Sequence, residues 1–292
     1  MPELWTNGVR LHYAVEGEGA EVLLLHPVGL DLTAWDALAG VLSNDFRVLR
    51  VDLRGHGQSA ALPPSNLADF VTDVHLLLGT LRCTPVDVIG LSLGGMVAQL
   101  LAIEYPDDVR SLVLAATAST FSPAMREMLI DRGMTAEREG MQAVVQPTLE
   151  RWFTPGFLHS EVVARCRQRL LTDDVACWTA TWRAMAALET LPRLNEIHVP
   201  TFVVTGDADA STPPSAAQTI VDSIGGARLS ILAGAPHLAP YERPDLFTPL
   251  VLSFLGSETK GQVLGQALLD GIQPEEDQAS HTPGVALPPM GH

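Results

Sequence analysis

Three residues of this chain have the types and the order of a nucleophile, an acid and a base. Ser92 stands in Gly90-Leu91-Ser92-Leu93-Gly94, directly after the apolar run Val86-Asp87-Val88-Ile89 and ahead of an apolar helical pattern. Where a strand turns abruptly into a helix, the two backbones approach too closely for a Cβ at the flanking positions. Glycine therefore belongs there, and the serine is held strained and exposed as a nucleophile. The five residues alone also fit a glycine-rich turn capped by serine, so partners elsewhere must decide. In a strand–turn–helix site of this kind an acid and a histidine follow the serine in chain order, each on the loop after a later strand. Residues 199–205 read as a buried strand that runs into Gly206-Asp207-Ala208-Asp209, a turn with two candidate carboxylates. Residues 227–232 read as another strand, and Ala233-Gly234-Ala235-Pro236-His237 follows it. Of the nine histidines, His237 is the one placed after the acid, beyond a strand and ahead of a final amphipathic helix over 244–255. His281 and His292 lie in the terminal tail, and His198 precedes a strand instead of following one.

The elements that must position these groups alternate. Strands are expected over 9–15, 21–26, 46–53, 86–91 and 109–116, with helices over 34–42, 66–82 and 93–105 between them. Strands separated by helices imply a mostly parallel sheet covered on both faces, an α/β fold. Between Ser119 and Leu191 the pattern changes to helical segments, over 124–131, 141–151, 161–171 and 176–188, with no strand among them. The expected organisation is a core formed by 1–118 and 192–255, a helical cap over 119–191 inserted before the acid-bearing strand, and a Pro-, Gln- and acid-rich C-terminal tail over 256–292 expected to be flexible. An insertion there lies near the strand ends that carry both nucleophile and acid, and so could roof the site.

Composition narrows the function classes. At 292 residues and 47% hydrophobic, the chain can bury a large core. A formal net charge of −16 opposes nucleic-acid and anionic-membrane partners through long-range repulsion. No apolar stretch reaches membrane-spanning length and the start has no signal-like core, so a cytoplasmic location is expected. The three cysteines, Cys83, Cys166 and Cys177, have no metal-ligand spacing and read as buried or free thiols. Gly17-x-Gly19 precedes a strand instead of following one and lacks a third glycine, so it is no dinucleotide fingerprint. No metal or organic cofactor is expected, and oligomeric state has no signal in the sequence.

Taken in order, the motifs resemble those of the α/β-hydrolase superfamily over about residues 4–255. His26-Pro27-Val28-Gly29 matches its oxyanion-loop position, Asp52-Leu53-Arg54-Gly55-His56-Gly57-Gln58-Ser59 its hairpin after the fourth strand, and Gly90 to Gly95 its nucleophile elbow. The resemblance implies an α/β-hydrolase fold, with Ser92 as nucleophile and His237 as base. It makes Asp209, three residues after Gly206, the acid in preference to Asp207. It also implies an oxyanion hole formed by the backbone N–H groups of Leu93 and Val28, since Pro27 has no N–H to donate.

Within the superfamily the chain is most similar to the 3-oxoadipate enol-lactonases. The likeness rests on Gly29-Leu30-Asp31 with Trp35, on Gly94-Gly95-Met96-Val97-Ala98-Gln99, and on Arg151-Trp152-Phe153-Thr154-Pro155-Gly156-Phe157 in the cap. It implies a small-molecule lactone or ester substrate. The departure is His26-Pro27-Val28-Gly29, where such lactonases carry Asn-Ser-Leu-Gly; this form is shared with general esterases. A carboxylesterase, or a cofactor-free perhydrolase or acyltransferase, is thus the alternative, and a ligand-binding fold without catalysis the third reading. Trp152 either walls the substrate pocket or packs the cap onto the core, and Arg151 either pairs with a substrate carboxylate or is solvated. His26, at the end of a buried strand, is expected to be structural, and Arg54 and His56 to stabilise their turn.

Overall fold

The computed structural model describes residues 2–256, so the expected tail beyond Gly256, with His281 and His292, lies outside the described residues. Eight strands form one sheet in the order β1-β2-β4-β3-β5-β6-β7-β8. They are β1 (Glu3–Thr6), β2 (Val9–Glu16), β3 (Ala20–Leu25), β4 (Phe46–Val51), β5 (Val86–Leu91), β6 (Val109–Ala115), β7 (Thr201–Gly206) and β8 (Arg228–Leu232). The β1–β2 and β2–β4 pairs are antiparallel and every other pair is parallel. β5 and β7 are buried at every position, as strands covered on both faces must be. One charge inside that layer, Asp87 of β5, is satisfied by Arg110 Nη2 at 2.6 Å and Ser111 Oγ at 2.6 Å.

The helices of the core are α1 (Asp36–Leu42), α2 (Leu67–Leu81) and α3 (Leu93–Glu104). Asn66 caps α2 by accepting from Ala68 N at 2.8 Å, and Arg82 ends it in the left-handed region at φ +52°. α8 (Pro214–Ser223) and a helix over residues 244–256 complete the outer layer. Four helices fill the insertion between β6 and β7: α4 (Pro123–Glu139), α5 (Met141–Trp152), α6 (Glu161–Leu171) and α7 (Val175–Ala186). Two connections root this cap. Thr120 and Glu189 form an isolated antiparallel bridge, and buried Gln99 of α3 donates to Ala118 O at 3.0 Å while accepting from Thr190 Oγ1 at 2.7 Å.

Several boundaries differ from the sequence expectation. The helix expected over 34–42 starts as a 3₁₀ turn, Leu32–Trp35, because Asp31 caps it from outside through Thr33 N at 3.0 Å. α4 extends eight residues beyond the expected 131. Gly133 counts against a helix by propensity, but the packing of α4 on α7, with Thr179 Oγ1 donating to Gly133 O at 2.9 Å, carries the helix through it. β1 has no sequence counterpart because it is a four-residue edge strand with alternate residues exposed, Trp5 at 72%. α8 was hidden behind Pro213-Pro214, which instead supplies its first turn.

Candidate active site

β5 delivers Ser92 through a turn that only glycine permits. Ser92 itself has φ +54° and ψ −111°, outside the ordinary regions for a side-chain-bearing residue. A Cβ on Gly90 would lie 2.3 Å from Gly94 O, and one on Gly94 would lie 2.1 Å from Leu25 O at the end of β3. The strained residue is held by its neighbours: Ser92 N donates to Ala115 O at 2.9 Å, and Ser92 O accepts from Thr117 Oγ1 at 2.8 Å and Met96 N at 3.1 Å. The four predicted loci all follow the C-terminal ends of parallel strands, where open α/β sheets place their ligands. Val28 follows β3, Ser92 follows β5, Asp209 follows β7 and His237 follows β8.

His237 and Asp209 are in contact. His237 Nδ1 lies 2.9 Å from Asp209 Oδ2 and 3.1 Å from Oδ1. A carboxylate can only accept, so the proton is assigned to Nδ1 and Nε2 is left as an acceptor. Asp209 also accepts from Ser211 N at 2.8 Å, Thr212 N at 2.9 Å and Thr212 Oγ1 at 2.8 Å. Burial pushes its carboxyl up, yet the charge and hydrogen bond of His237 with the two bonds from Thr212 outweigh burial and hold it below the usual carboxylate range. Asp207, the other candidate acid, points elsewhere and accepts from Gly234 N at 2.7 Å. Ser92, Asp209 and His237 are 4%, 4% and 2% exposed, so the cleft above them is the access to them.

That cleft lies between core and cap and is lined by Val28, Ser92 and His237 from the core. Arg151 and Trp152 line it from α5, together with Arg132 of α4 and Trp182 of α7. A larger groove between α6, residues 30–38 and residues 240–248 contains none of the catalytic candidates. Trp152 sits at the junction of core and cleft. It is 3% exposed within the core cluster and also walls the cleft, and its carbonyl accepts from Leu238 N at 3.1 Å, tying the cap to the loop that carries His237. Leu93 is the first residue of α3, so its N–H has no intrahelical acceptor, and Val28 follows the N–H-free Pro27 on the facing loop. An oxygen bound between these two amides would be stabilised as it gains charge.

The other histidines of this region are structural. His26 Nε2 accepts from Leu53 N at 2.9 Å and its Nδ1 donates to Pro27 O at 2.8 Å, which pins the loop of Val28 to the end of β4; burial lowers its pKa. Arg54 makes two bonds of 2.6 Å to Asp73, and His56 Nδ1 donates to Arg54 O at 3.0 Å. Burial, with the neighbouring His26, lowers His56 to about 3, so it stays neutral. Asp52 accepts from Leu32 N, Gln58 N and His12 Nδ1, each at 2.7 Å, and so anchors the turn behind the site. Among the described residues no group of three or more His, Cys, Asp or Glu could hold a metal ion, and no helix is long and apolar enough to cross a membrane.

Thr212 and Arg132 are among the cleft residues that the sequence did not single out. Thr212 is signalled by its spacing, three residues beyond Asp209, which lets its N–H and hydroxyl return to that carboxylate. Arg132 had only a weak signal, an arginine interrupting the inward face of Leu129, Gly133 and Ala136.

Comparison with known proteins agrees with this architecture. The alpha/beta hydrolase family model matches residues 22–250. The chain is 28% identical over 253 residues to 3-oxoadipate enol-lactonase 2 of Acinetobacter baylyi, covering 85% of this chain and 94% of that one. The solved enol-lactonase of Burkholderia xenovorans superposes with a TM-score of 0.83 at 33% identity, over 87% of this chain and 100% of its own. A malate-bound thermophilic esterase from Thermogutta terrifontis superposes with a TM-score of 0.82 at 28% identity, over 88% and 99% of the two chains. A family match over most of the chain, together with the named hydrolases among its relatives, leads to one conclusion: the protein is a hydrolytic enzyme belonging to the alpha/beta hydrolase family.

Proposed function

We propose that the protein is a serine hydrolase that opens a small lactone or cleaves a small carboxylic ester through an acyl-enzyme, with 3-oxoadipate enol-lactone as its first candidate substrate. The observation that carries the reading is the line from Asp209 through His237 to the cleft shared with Ser92. Ser92 Oγ attacks the substrate carbonyl as His237 Nε2 takes its proton, and Asp209 orients the imidazole and stabilises its charged form. The carbonyl oxygen becomes an oxyanion held by the N–H groups of Leu93 and Val28. Collapse expels the alkoxide or enolate, which takes the proton from His237. Water, deprotonated by the same nitrogen, then adds to the acyl-enzyme; collapse of the second oxyanion frees the acid and returns the proton to Ser92. No cofactor enters any step.

The lactone is favoured over a neutral ester by two features: the named enol-lactonases among the similar proteins, and cationic groups in the cleft, Arg151 foremost, beside Trp152 as the wall. The loop His26-Pro27-Val28-Gly29, shared with esterases, is what supports the alternative of a general carboxylesterase. On the lactone reading the enzyme works in the cytoplasm, in the breakdown of aromatic compounds. The test has two arms. Ser92→Ala should abolish hydrolysis of a chromogenic short-chain ester and leave the melting temperature nearly unchanged; equal turnover in the variant refutes the reading. A panel of 3-oxoadipate enol-lactone, neutral lactones and p-nitrophenyl esters of graded length then ranks substrates, and a preference for long neutral esters removes the enol-lactone.

A further inference from the structure

The cap segment Arg151-Trp152-Phe153-Thr154-Pro155-Gly156-Phe157 reaches two places at once. Arg151 and Trp152 line the cleft, whereas Thr154 is not among its lining residues. Thr154 turns instead to Glu242: its N–H donates to Oε2 at 3.0 Å and its hydroxyl donates to Oε1. A carboxylate acceptor makes both bonds charge-assisted. Glu242 closes a short helical turn, Ala239–Glu242, that begins directly after His237 and Leu238. Its N–H donates to Leu238 O at 3.2 Å, and Tyr241 N donates to the same oxygen at 2.9 Å, so Leu238 and the turn form one unit. The cap grips that unit at three successive residues. Trp152 O accepts from Leu238 N at 3.1 Å, the Phe153 ring meets the Tyr241 ring edge-on with centroids 6.3 Å apart, and Thr154 holds Glu242.

This grip acts on the base because Asp209 alone does not place it. Asp209 holds Nδ1, one atom of the His237 ring, and a contact at one atom leaves the ring free to swing about it unless the Cα is fixed as well. The Cα is fixed through the peptide to Leu238, whose N–H is within the grip. Pro155 disfavours helical backbone at Thr154, so its two donors stay clear of α5 and available to Glu242. Resting on the acyl-enzyme reading above, we propose that Thr154 and Glu242 are positioning residues for the base: their paired hydrogen bonds lock the end of the cap to the turn after His237, and that lock sets where Nε2 stands beside Ser92. Neither residue lines the cleft, so both act through His237. The cap is thereby the frame of the catalytic centre as well as its roof.

The test compares kcat and KM for p-nitrophenyl butyrate at a temperature far below melting. Glu242→Ala loses both bonds, and its kcat should fall about tenfold or more, the scale on which misplacing a catalytic group acts. KM should stay nearly constant, because the cleft keeps its lining. Thr154→Val keeps the N–H bond and should lose less, and Thr154→Ser, which keeps both donors, should retain the wild-type rate. The double variant Thr154→Val with Glu242→Ala should be no slower than Glu242→Ala, because the hydroxyl acts through that carboxylate alone. The pH midpoint of kcat/KM should not move, since the pair Asp209 and His237 is intact. Hydrogen exchange at the Leu238 amide reads the lock without turnover: it should quicken in Glu242→Ala and Thr154→Val but not in Thr154→Ser. If Glu242→Ala does not fold, Thr154→Val against Thr154→Ser carries the same comparison. Unchanged kcat, a loss confined to KM, a loss carried by a shifted midpoint, or unchanged Leu238 exchange each overturns the proposal. If Ser92→Ala hydrolyses the ester as fast as the wild type, the acyl-enzyme reading fails, while quickened exchange still upholds the lock. If hydrolysis depends on Ser92 and Glu242→Ala keeps the full rate, the positioning role alone fails.

Discussion

Replacing Thr212 by Val removes a single hydroxyl donor from Asp209, the acid of the proposed mechanism, while keeping nearly the same shape. That hydroxyl donates to Asp209 Oδ2 at 2.8 Å and lies 3.3 Å from His237 Nδ1. Asp209 keeps three donors, the N–H groups of Ser211 and Thr212 and His237 Nδ1. A buried hydrogen bond to a charged group is worth about 1.5–3 kcal/mol, and with three donors remaining the lower figure applies, about 1.5 kcal/mol. For a domain of this size that is a fall in melting temperature of roughly 3–6 °C. The pH dependence has a definite sign. The folded carboxyl is held below its ordinary value, so the stabilisation is present above the unfolded pKa of about 3.9 and is lost as pH falls through the folded one. The gap between wild type and Thr212→Val should therefore be widest near neutrality and close below about pH 4. The kcat/KM for a chromogenic ester should fall about tenfold through a less firmly oriented imidazole, and Thr212→Ser should restore both rate and melting temperature. Coincident melting curves at pH 7 with unchanged kcat/KM would refute the reasoning.

Two further outcomes can be checked simply. Gly94→Ala places a methyl 2.1 Å from Leu25 O, where only backbone movement can relieve it, so soluble yield or melting temperature should drop sharply, whereas Gly140→Ala meets nothing within 4 Å. Because Gly140 has φ +81° and ψ +169°, a region that only glycine adopts freely, that substitution should cost about 1–3 kcal/mol of backbone strain without a clash, read as a smaller shift in the same melting assay. The three thiols are buried, and burial raises Cys83 to about 11 and Cys166 and Cys177 to about 12. At pH 8 the native enzyme should react negligibly with an aromatic disulfide reagent and release all three thiols only when unfolded; rapid native labelling would contradict the placement.

Much of the catalytic arrangement is legible in the chain because it is local. Gly90-Leu91-Ser92-Leu93-Gly94 encodes its own turn, since the close approach of α3 to β5 and β3 forbids a Cβ at either glycine whatever the rest of the protein does. Strand alternation with helices placed Asp209 and His237 after their strands, and the resemblance of residues 26–29 to the family's oxyanion loop pointed to Val28. What stayed illegible depends on packing between elements distant in sequence. Nothing local separates Asp207 from Asp209; the separation comes from where β8 brings His237 and Gly234, one carboxylate facing each. The length of α4 is decided by α7, and the dual position of Trp152, between core and cleft, by the docking of α5 on the loop after β8. Arg132 is the clearest case. In sequence it is one charge on an amphipathic helix, and only the folded cap shows that it shares a cleft with Ser92 and Arg151 and makes no ion pair with a carboxylate among the described residues. Backbone sterics and short-range periodicity write the candidate site into the sequence, whereas the charge and shape of the cleft arise where separate helices meet and exist only in the tertiary structure.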